Sequence, residues 1–182
     1  MSKIQVAIVV GSNNSNSINR QYAQALARLL PAHFNVSYPQ IDDLPMYSLD
    51  LEGERSASVN RFTSEIGAAD AVLIVTPEHN RSLPAVLKNA IDWGSKPMDK
   101  NVWFNKPVAI TGTSPGVMGA ALAQQHLRQI MGILGSVVLG GEAYIQFKPE
   151  LITAEGDIGP NSRDFLQAYI DRFVSLTEKL KG

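Results

Sequence analysis

Ala71-Val72-Leu73-Ile74-Val75-Thr76-Pro77-Glu78-His79-Asn80-Arg81-Ser82-Leu83-Pro84 passes from an unbroken apolar run into a polar loop bracketed by prolines. An amphipathic pattern follows at once. Five consecutive apolar residues suit a parallel strand covered on both faces. The loop then lies at the carboxyl end of that strand, where open α/β sheets bind ligands. After it, Leu83, Val86, Leu87, Ala90 and Ile91 form one helical stripe to about Trp93, with Ser82 as a cap, Pro84 in the first turn and Gly94 as a stop.

The same alternation extends in both directions. Ile4 to Val10 reads as a first buried strand, followed by the loop Gly11-Ser12-Asn13-Asn14-Ser15-Asn16-Ser17. A helix with Ile18, Tyr22, Leu26, Leu29 and Leu30 on one face comes next, then a strand over Phe34–Tyr38 and a polar loop from Pro39 to Glu54. Residues 55–68 predict a helix with Val59, Phe62 and Ile66 inward. Beyond a loop over 95–106, Pro107–Thr111 is a strand that ends in Gly112-Thr113-Ser114-Pro115-Gly116. A helix over 118–134, a short strand over 136–139 and a closing helix over 165–180 complete the pattern, and 140–160 carries no clear element.

Strands alternating with helices imply right-handed crossovers and a parallel sheet. The expected fold is α/β, flavodoxin-like: a doubly wound five-stranded parallel sheet in the order 2-1-3-4-5 within three αβα layers. All of 1–182 is expected to form a single domain, since no repeat, linker or low-complexity run interrupts it. In that order strands 1 and 3 are neighbours and the winding reverses between them. The loops 11–17, 77–82 and 112–116 then meet at one edge of the sheet.

Composition narrows the chemistry. A formal net charge of −1 predicts no broad basic face for nucleic acid. The chain has no cysteine, which excludes disulfides, a thiol nucleophile and cysteine-held zinc or iron–sulfur clusters. His33, His79 and His126 fall in separate segments, so no metal site is expected. Met1-Ser2-Lys3 leads straight into an apolar strand with no leader pattern, and no apolar stretch is long enough to span a bilayer. A cytoplasmic protein without membrane partners is expected.

The first loop has the chemistry of a phosphate cradle. Ser12, Asn14, Ser15, Ser17 and Asn19 supply hydroxyls and amides, and the following helix offers free N–H groups and its positive end. Its spacing is neither Gly-x-Gly-x-x-Gly nor the lysine-bearing P-loop, which favours a single terminal phosphate. An ordinary strand-to-helix turn is the plainer alternative. In the second loop, Glu78, His79 and Asn80 can offer backbone groups to the edge of a flat heterocycle. Glu78 can equally be a capping carboxylate, His79 a surface histidine, and Arg81 either a surface charge or a partner for an anionic substrate.

The run from Thr76 to Trp93 closely resembles the signature of the NADPH-dependent FMN reductases, in particular the bacterial chromate and quinone reductase group. Gly11-Ser12 with Ser17-Ile18-Asn19, Gly112 to Gly119, and His126-Leu127-Arg128-Gln129-Ile130 resemble other segments of that family. The resemblance implies FMN as cofactor, with Ser12, Asn14, Ser17, Ile18 and Asn19 around the phosphate and Ser12, Ser17 and Asn19 in contact with it. Pro77, Glu78, His79 and Asn80 would line the isoalloxazine with Arg81 beside them, and Ser114 would approach from the third loop. Three positions depart from the family: Asn14 stands where it usually has arginine, His79 where it has tyrosine, and Arg81 where many members have an aromatic residue. Arg20 lies near the first loop, but not at the place of the missing arginine.

The implied activity is transfer of hydride from NAD(P)H through FMN to quinones, free flavin, azo compounds or metal oxyanions such as chromate. No catalytic side chain is expected, because the hydride chemistry belongs to the flavin. The implied assembly is a homodimer or homotetramer. The alternative is a flavodoxin-type FMN electron carrier without NAD(P)H turnover. A half-reduced flavin spectrum would separate the two.

Overall fold

A computed structural model describes residues 3–181. Met1 and Ser2, on which part of the leaderless expectation rests, and Gly182 lie outside the described residues. The elements run β1 (Ile4–Val10), α1 (Ile18–Ala27), β2 (Phe34–Ser37), α2 (Ala57–Ala68), β3 (Ala71–Val75), α3 (Ala85–Gly94), β4 (Pro107–Ser114), α4 (Ala121–Ile133), β5 (Val137–Val138), β6 (Tyr144–Gln146) and α5 (Pro160–Lys181). The sheet order is β2-β1-β3-β4-β5, as expected, and the pairings are parallel.

Strand alternation divides the core. Val6, Ile8, Leu73, Val75 and Ala109 face α1 and α5, while Ala7, Val9, Val72, Ile74, Val108 and Ile110 face α2, α3 and α4. This two-sided burial makes β1 and β3 read as continuous apolar runs rather than alternating ones. Trp93 and Trp103 are both fully buried. Each indole N–H donates to a backbone carbonyl, of Pro45 at 2.7 Å and of Ile91 at 3.0 Å.

The five-strand expectation needs one correction. Beyond β5, a sixth strand from the unassigned region pairs with the far half of β4, at Gly112↔Tyr144 and Ser114↔Gln146. On this side of β4, between β5 and β6, no strand lies beside Ile110. The Tyr169 hydroxyl of α5 fills that place, donating to the Ile110 carbonyl at 2.7 Å and accepting from its N–H at 3.1 Å. Burial pushes this hydroxyl above the usual phenol range, so it stays protonated and able to donate.

Several boundaries also shift. α1 ends at Ala27, so Leu29 and Leu30 follow it, and β2 stops before Tyr38. β4 runs on to Ser114 because β6 pairs there. α5 starts at Pro160 rather than 165, since proline's fixed φ and missing N–H suit a first helical position. The N-cap of α3 is Pro84, with no side-chain cap; the Ser82 hydroxyl instead bonds His126 Nδ1 at 2.9 Å. The loop after β2 is pinned to α3 through Asn89, which accepts from the Tyr47 N–H and donates to the Pro45 carbonyl.

Candidate functional site

β1, β3 and β4 are adjacent and parallel; β1 and β3 end level with Thr111, and β4 continues to Ser114. Gly11 N–H donates to the Val75 carbonyl at 2.8 Å, and Thr76 N–H to the Thr111 carbonyl at 3.0 Å. The three polar loops therefore leave one edge side by side, at the reversal between β1 and β3.

The first loop is shaped by its own side chains. Asn14 Oδ1 accepts from the Asn16 N–H at 2.9 Å, and Ser12 Oγ accepts from the Asn14 N–H. Ser17 caps α1, accepting from the Arg20 N–H at 3.2 Å. The Ile18 and Asn19 N–H groups have no carbonyl four residues back inside the helix. They also find no other protein acceptor among the described residues. An exposed, uncharged loop thus presents hydroxyls and free N–H groups at a helix N-terminus, a fit for an anionic group such as a phosphate.

Asn19 itself is 1% exposed. Its side chain donates to the Thr113 carbonyl at 2.9 Å and accepts from the Thr113 N–H at 3.0 Å. With both ends of that side chain engaged by Thr113, what Asn19 has left to offer an anion is its backbone N–H. The reason lies in β3. β3 ends at Val75, opposite Thr111, so no strand faces Thr113 on that side of β4. The Asn19 amide stands in for the missing peptide group.

The second loop is a tight turn. His79 and Ser82 exchange both backbone hydrogen bonds at 2.9 Å. Asn80 and Arg81 between them have φ of +50° and +65°. Two left-handed residues in sequence make a type I′ turn, which asparagine tolerates and arginine adopts only with strain. Glu78 is turned away from the rim, its side chain 11% exposed. Its Oε2 accepts from the Leu122 and Ala123 N–H groups at 2.9 and 3.2 Å, capping α4, whose own N-cap residue Ala120 supplies no side chain. Glu78 is thus the capping carboxylate that the residue pattern allowed, and the loop offers its backbone to a ligand. Pro77 is half-buried beside it, and His79, Asn80 and Arg81 are exposed.

In the third loop the Ser114 hydroxyl donates to the Gly116 carbonyl at 3.2 Å, and Gln146 of β6 donates to the Pro115 carbonyl at 3.0 Å. Val117 and Met118 are exposed. Gly119 and Ala120 both have positive φ, and a side chain on Gly119 would strike the backbone of Tyr144 and Ile145. The residue pattern did not single out Thr113, Tyr169 or Gln146. Only the run of small polar residues Thr111-Gly112-Thr113 at the end of an apolar strand hinted that something other than core packs there.

This topology and these loops define a flavodoxin-like flavin-binding class. The family model for NADPH-dependent FMN reductases matches residues 4–150, and the chain belongs to that family. It is 42% identical over 174 residues to the 2-hydroxy-1,4-benzoquinone reductase of a Burkholderia species, covering 94% of this chain and 95% of the relative. It is 43% identical over 178 residues to the quinone reductase of Pseudomonas putida, covering 96% of each. Among solved structures, FerB, the flavoenzyme NAD(P)H:(acceptor) oxidoreductase from Paracoccus denitrificans, superposes with a TM-score of 0.92 at 42% identity, covering 97% of this chain and 98% of FerB.

Proposed function

We propose that this chain is an FMN-dependent NAD(P)H oxidoreductase that reduces quinones and related small acceptors. The observation that carries the reading is the meeting, at the β1–β3 reversal, of an N–H-rich loop fit for a phosphate with the Pro77–Ser82 turn. Family membership and the quinone reductases among its relatives support it.

Ser12 and Ser17, with the N–H groups of Ile18 and Asn19, would hold the FMN phosphate, and Asn14 would keep their loop in shape. The backbone of Pro77, Glu78, His79 and Asn80 would line the ring, Ser114 would approach from the next loop, and Arg81 would stand beside it. Bound FMN supplies the chemistry, taking two electrons from NAD(P)H and giving them to the acceptor. The chain's own task is to fix the ring and leave one face open to donor and acceptor in turn. Backbone donors held by rigid loops cost no reorganisation when negative charge develops on a ring.

The whole of 1–182 would act as a single domain. A homodimer or homotetramer is supported by the apolar groove between α3 and α4, lined by Leu83, Ala85, Ile130 and Ile133, of which Ile133 is strongly exposed. No helix among the described residues is long and apolar enough to cross a membrane. A cytoplasmic location follows from the need for NAD(P)H.

The test is an anaerobic visible spectrum of protein loaded with FMN and freed of excess, before and after NADPH. Retained flavin that bleaches in one two-electron step is expected. Flavin that stays yellow would indicate an electron carrier, and no retained flavin would overturn the reading.

A further inference from the structure

The three loops at the carboxyl edge, Gly11–Asn19, Thr76–Pro84 and Gly112–Ala120, contain two formally charged residues, Glu78 and Arg81. Glu78 is turned inward onto the start of α4. Arg81 is left as the exposed formal charge of these three stretches, its side chain 70% exposed.

The backbone of Arg81 is fixed by the turn. It sits at the second corner of the type I′ turn with φ of +65°, a strained conformation for a residue with a long side chain. Its Nη1 lies 3.7 Å from Glu78 Oε1, a loose ion pair that leaves the guanidinium donors free. Through Glu78 the turn is tied to the first turn of α4, which directly follows the exposed Val117 and Met118. Val117 is 83% exposed. One cation and an apolar wall thus stand on neighbouring loops.

Building on the proposed FMN-dependent activity, we infer that Arg81 selects planar acceptors carrying an ionised oxygen, the hydroxyquinones, over neutral quinones of the same skeleton. A hydroxyl on a quinone is a vinylogous acid and is ionised at neutral pH. Its ring suits Val117 and Met118, and its oxyanion suits a guanidinium fork. In the reaction, NAD(P)H and two protons convert the hydroxyquinone anion to the neutral hydroxyhydroquinone and NAD(P)+. Both quinone carbonyls become phenols, and the oxyanion takes up the second proton. The product no longer carries the charge that Arg81 recognises, which favours its release.

The test compares 2-hydroxy-1,4-naphthoquinone with 1,4-naphthoquinone in the FMN-loaded protein and in Arg81→Gln. The substitution keeps a polar side chain and the backbone strain while removing the charge. Flavin retention and bleaching by NADPH are recorded first; their failure overturns the underlying activity. With these in place, the ratio of kcat/KM for the hydroxyquinone to that for the neutral quinone falls about tenfold in Arg81→Gln, or ~1.4 kcal/mol. Arg81→Lys restores the preference in part. Calorimetric titration of the oxidised protein with 2-hydroxy-1,4-naphthoquinone shows a matching loss of affinity, and added salt weakens that binding in the parent but not in Arg81→Gln. A fall in the ratio of less than fivefold, an equal fall on both acceptors, or Arg81→Lys behaving as Arg81→Gln overturns the inference.

Discussion

Replacing Asn19 with alanine removes the partners of both Thr113 backbone groups at one stroke. Thr113 is fully buried, and its N–H and C=O face the side of β4 where β3 has already left the sheet. The Asn19 amide reaches both groups, at 3.0 and 2.9 Å. A buried backbone group left unpaired costs about 1–3 kcal/mol, so the two together give a loss of roughly 2–6 kcal/mol. The lower part of that range applies if water enters the space left by the amide. At roughly 2–4 °C per kcal/mol for a chain of this length, the melting temperature falls by about 4–24 °C.

Differential scanning calorimetry of the flavin-free protein reads this directly and keeps cofactor binding out of the measurement. Asn19→Asp supplies a second signature. Its carboxyl would be buried against the Thr113 carbonyl, which raises its pKa in the folded state. A raised folded pKa gives stability that is complete below the unfolded value of about 3.9 and is lost as pH rises through the folded value. The deficit against the parent should therefore be small near pH 4 and grow toward neutrality. A positioning role also weakens riboflavin and FMN binding alike, whereas a side-chain contact to phosphate weakens FMN alone. Melting of Asn19→Ala within 2 °C of the parent would refute the reasoning.

Three further substitutions test other joints of the structure. Tyr169→Phe strands the Ile110 N–H and C=O, so a loss of about 2 kcal/mol or more is expected by calorimetry, with faster hydrogen exchange at the Ile110 amide. Gly112→Ala places a methyl group against the Thr76 carbonyl oxygen and forces β3 and β4 apart at the edge that carries the loops. Overpacking of this kind costs about 1–3 kcal/mol, and FMN affinity measured by fluorescence quenching should fall with it. Asp43 accepts from Arg61 at 2.8 and 2.9 Å, and that hydrogen-bonded pairing holds its carboxyl below the ordinary 3.8. Asp43→Asn should then cost less than ~1 kcal/mol at neutral pH, because the pair is partly exposed. The cost should vanish as pH falls below the ordinary carboxylate value and through the lowered one, and a cost that persists at low pH would refute that assignment.

The parts of this fold legible in the sequence are those whose stability is set by local periodicity. β1 and β3 announce themselves as apolar runs because helices cover both of their faces, and α2 and α3 through apolar residues at helical spacing. β6 was not legible. Three half-buried residues carry no period, and what fixes them is pairing with β4 some thirty residues earlier in the chain. The role of Tyr169 was hidden for the same reason, since a tyrosine on the inner stripe of a long helix looks like any core residue until the gap beside Ile110 is seen. The start of α5 could have been found, because Pro160 is a helix-start signal in plain view. At the candidate site, the meeting of the loops was legible but not the directions of their side chains. Asn19 and Glu78 belong to the loops that meet at the edge, yet each turns its side chain into the scaffold.

That inward turn explains how such polar loops can be rigid enough to bind through their backbones. Asn19 joins α1 to β4, Glu78 joins the second loop to α4, and Asn14 closes the first loop on itself. Each polar side chain satisfies backbone groups that the ends of β3, α4 and β1 leave without partners. The groups left over include the N–H donors of Ile18 and Asn19 and the exposed Arg81 guanidinium. In the proposed reading, backbone donors would hold the cofactor by shape and dipole and would be indifferent to most side-chain changes around them. Discrimination among acceptors then falls to the few exposed side chains at the mouth. Substitutions at Asn19 or Glu78 should therefore change stability and flavin binding together, whereas substitutions at Arg81 should change which acceptor is reduced.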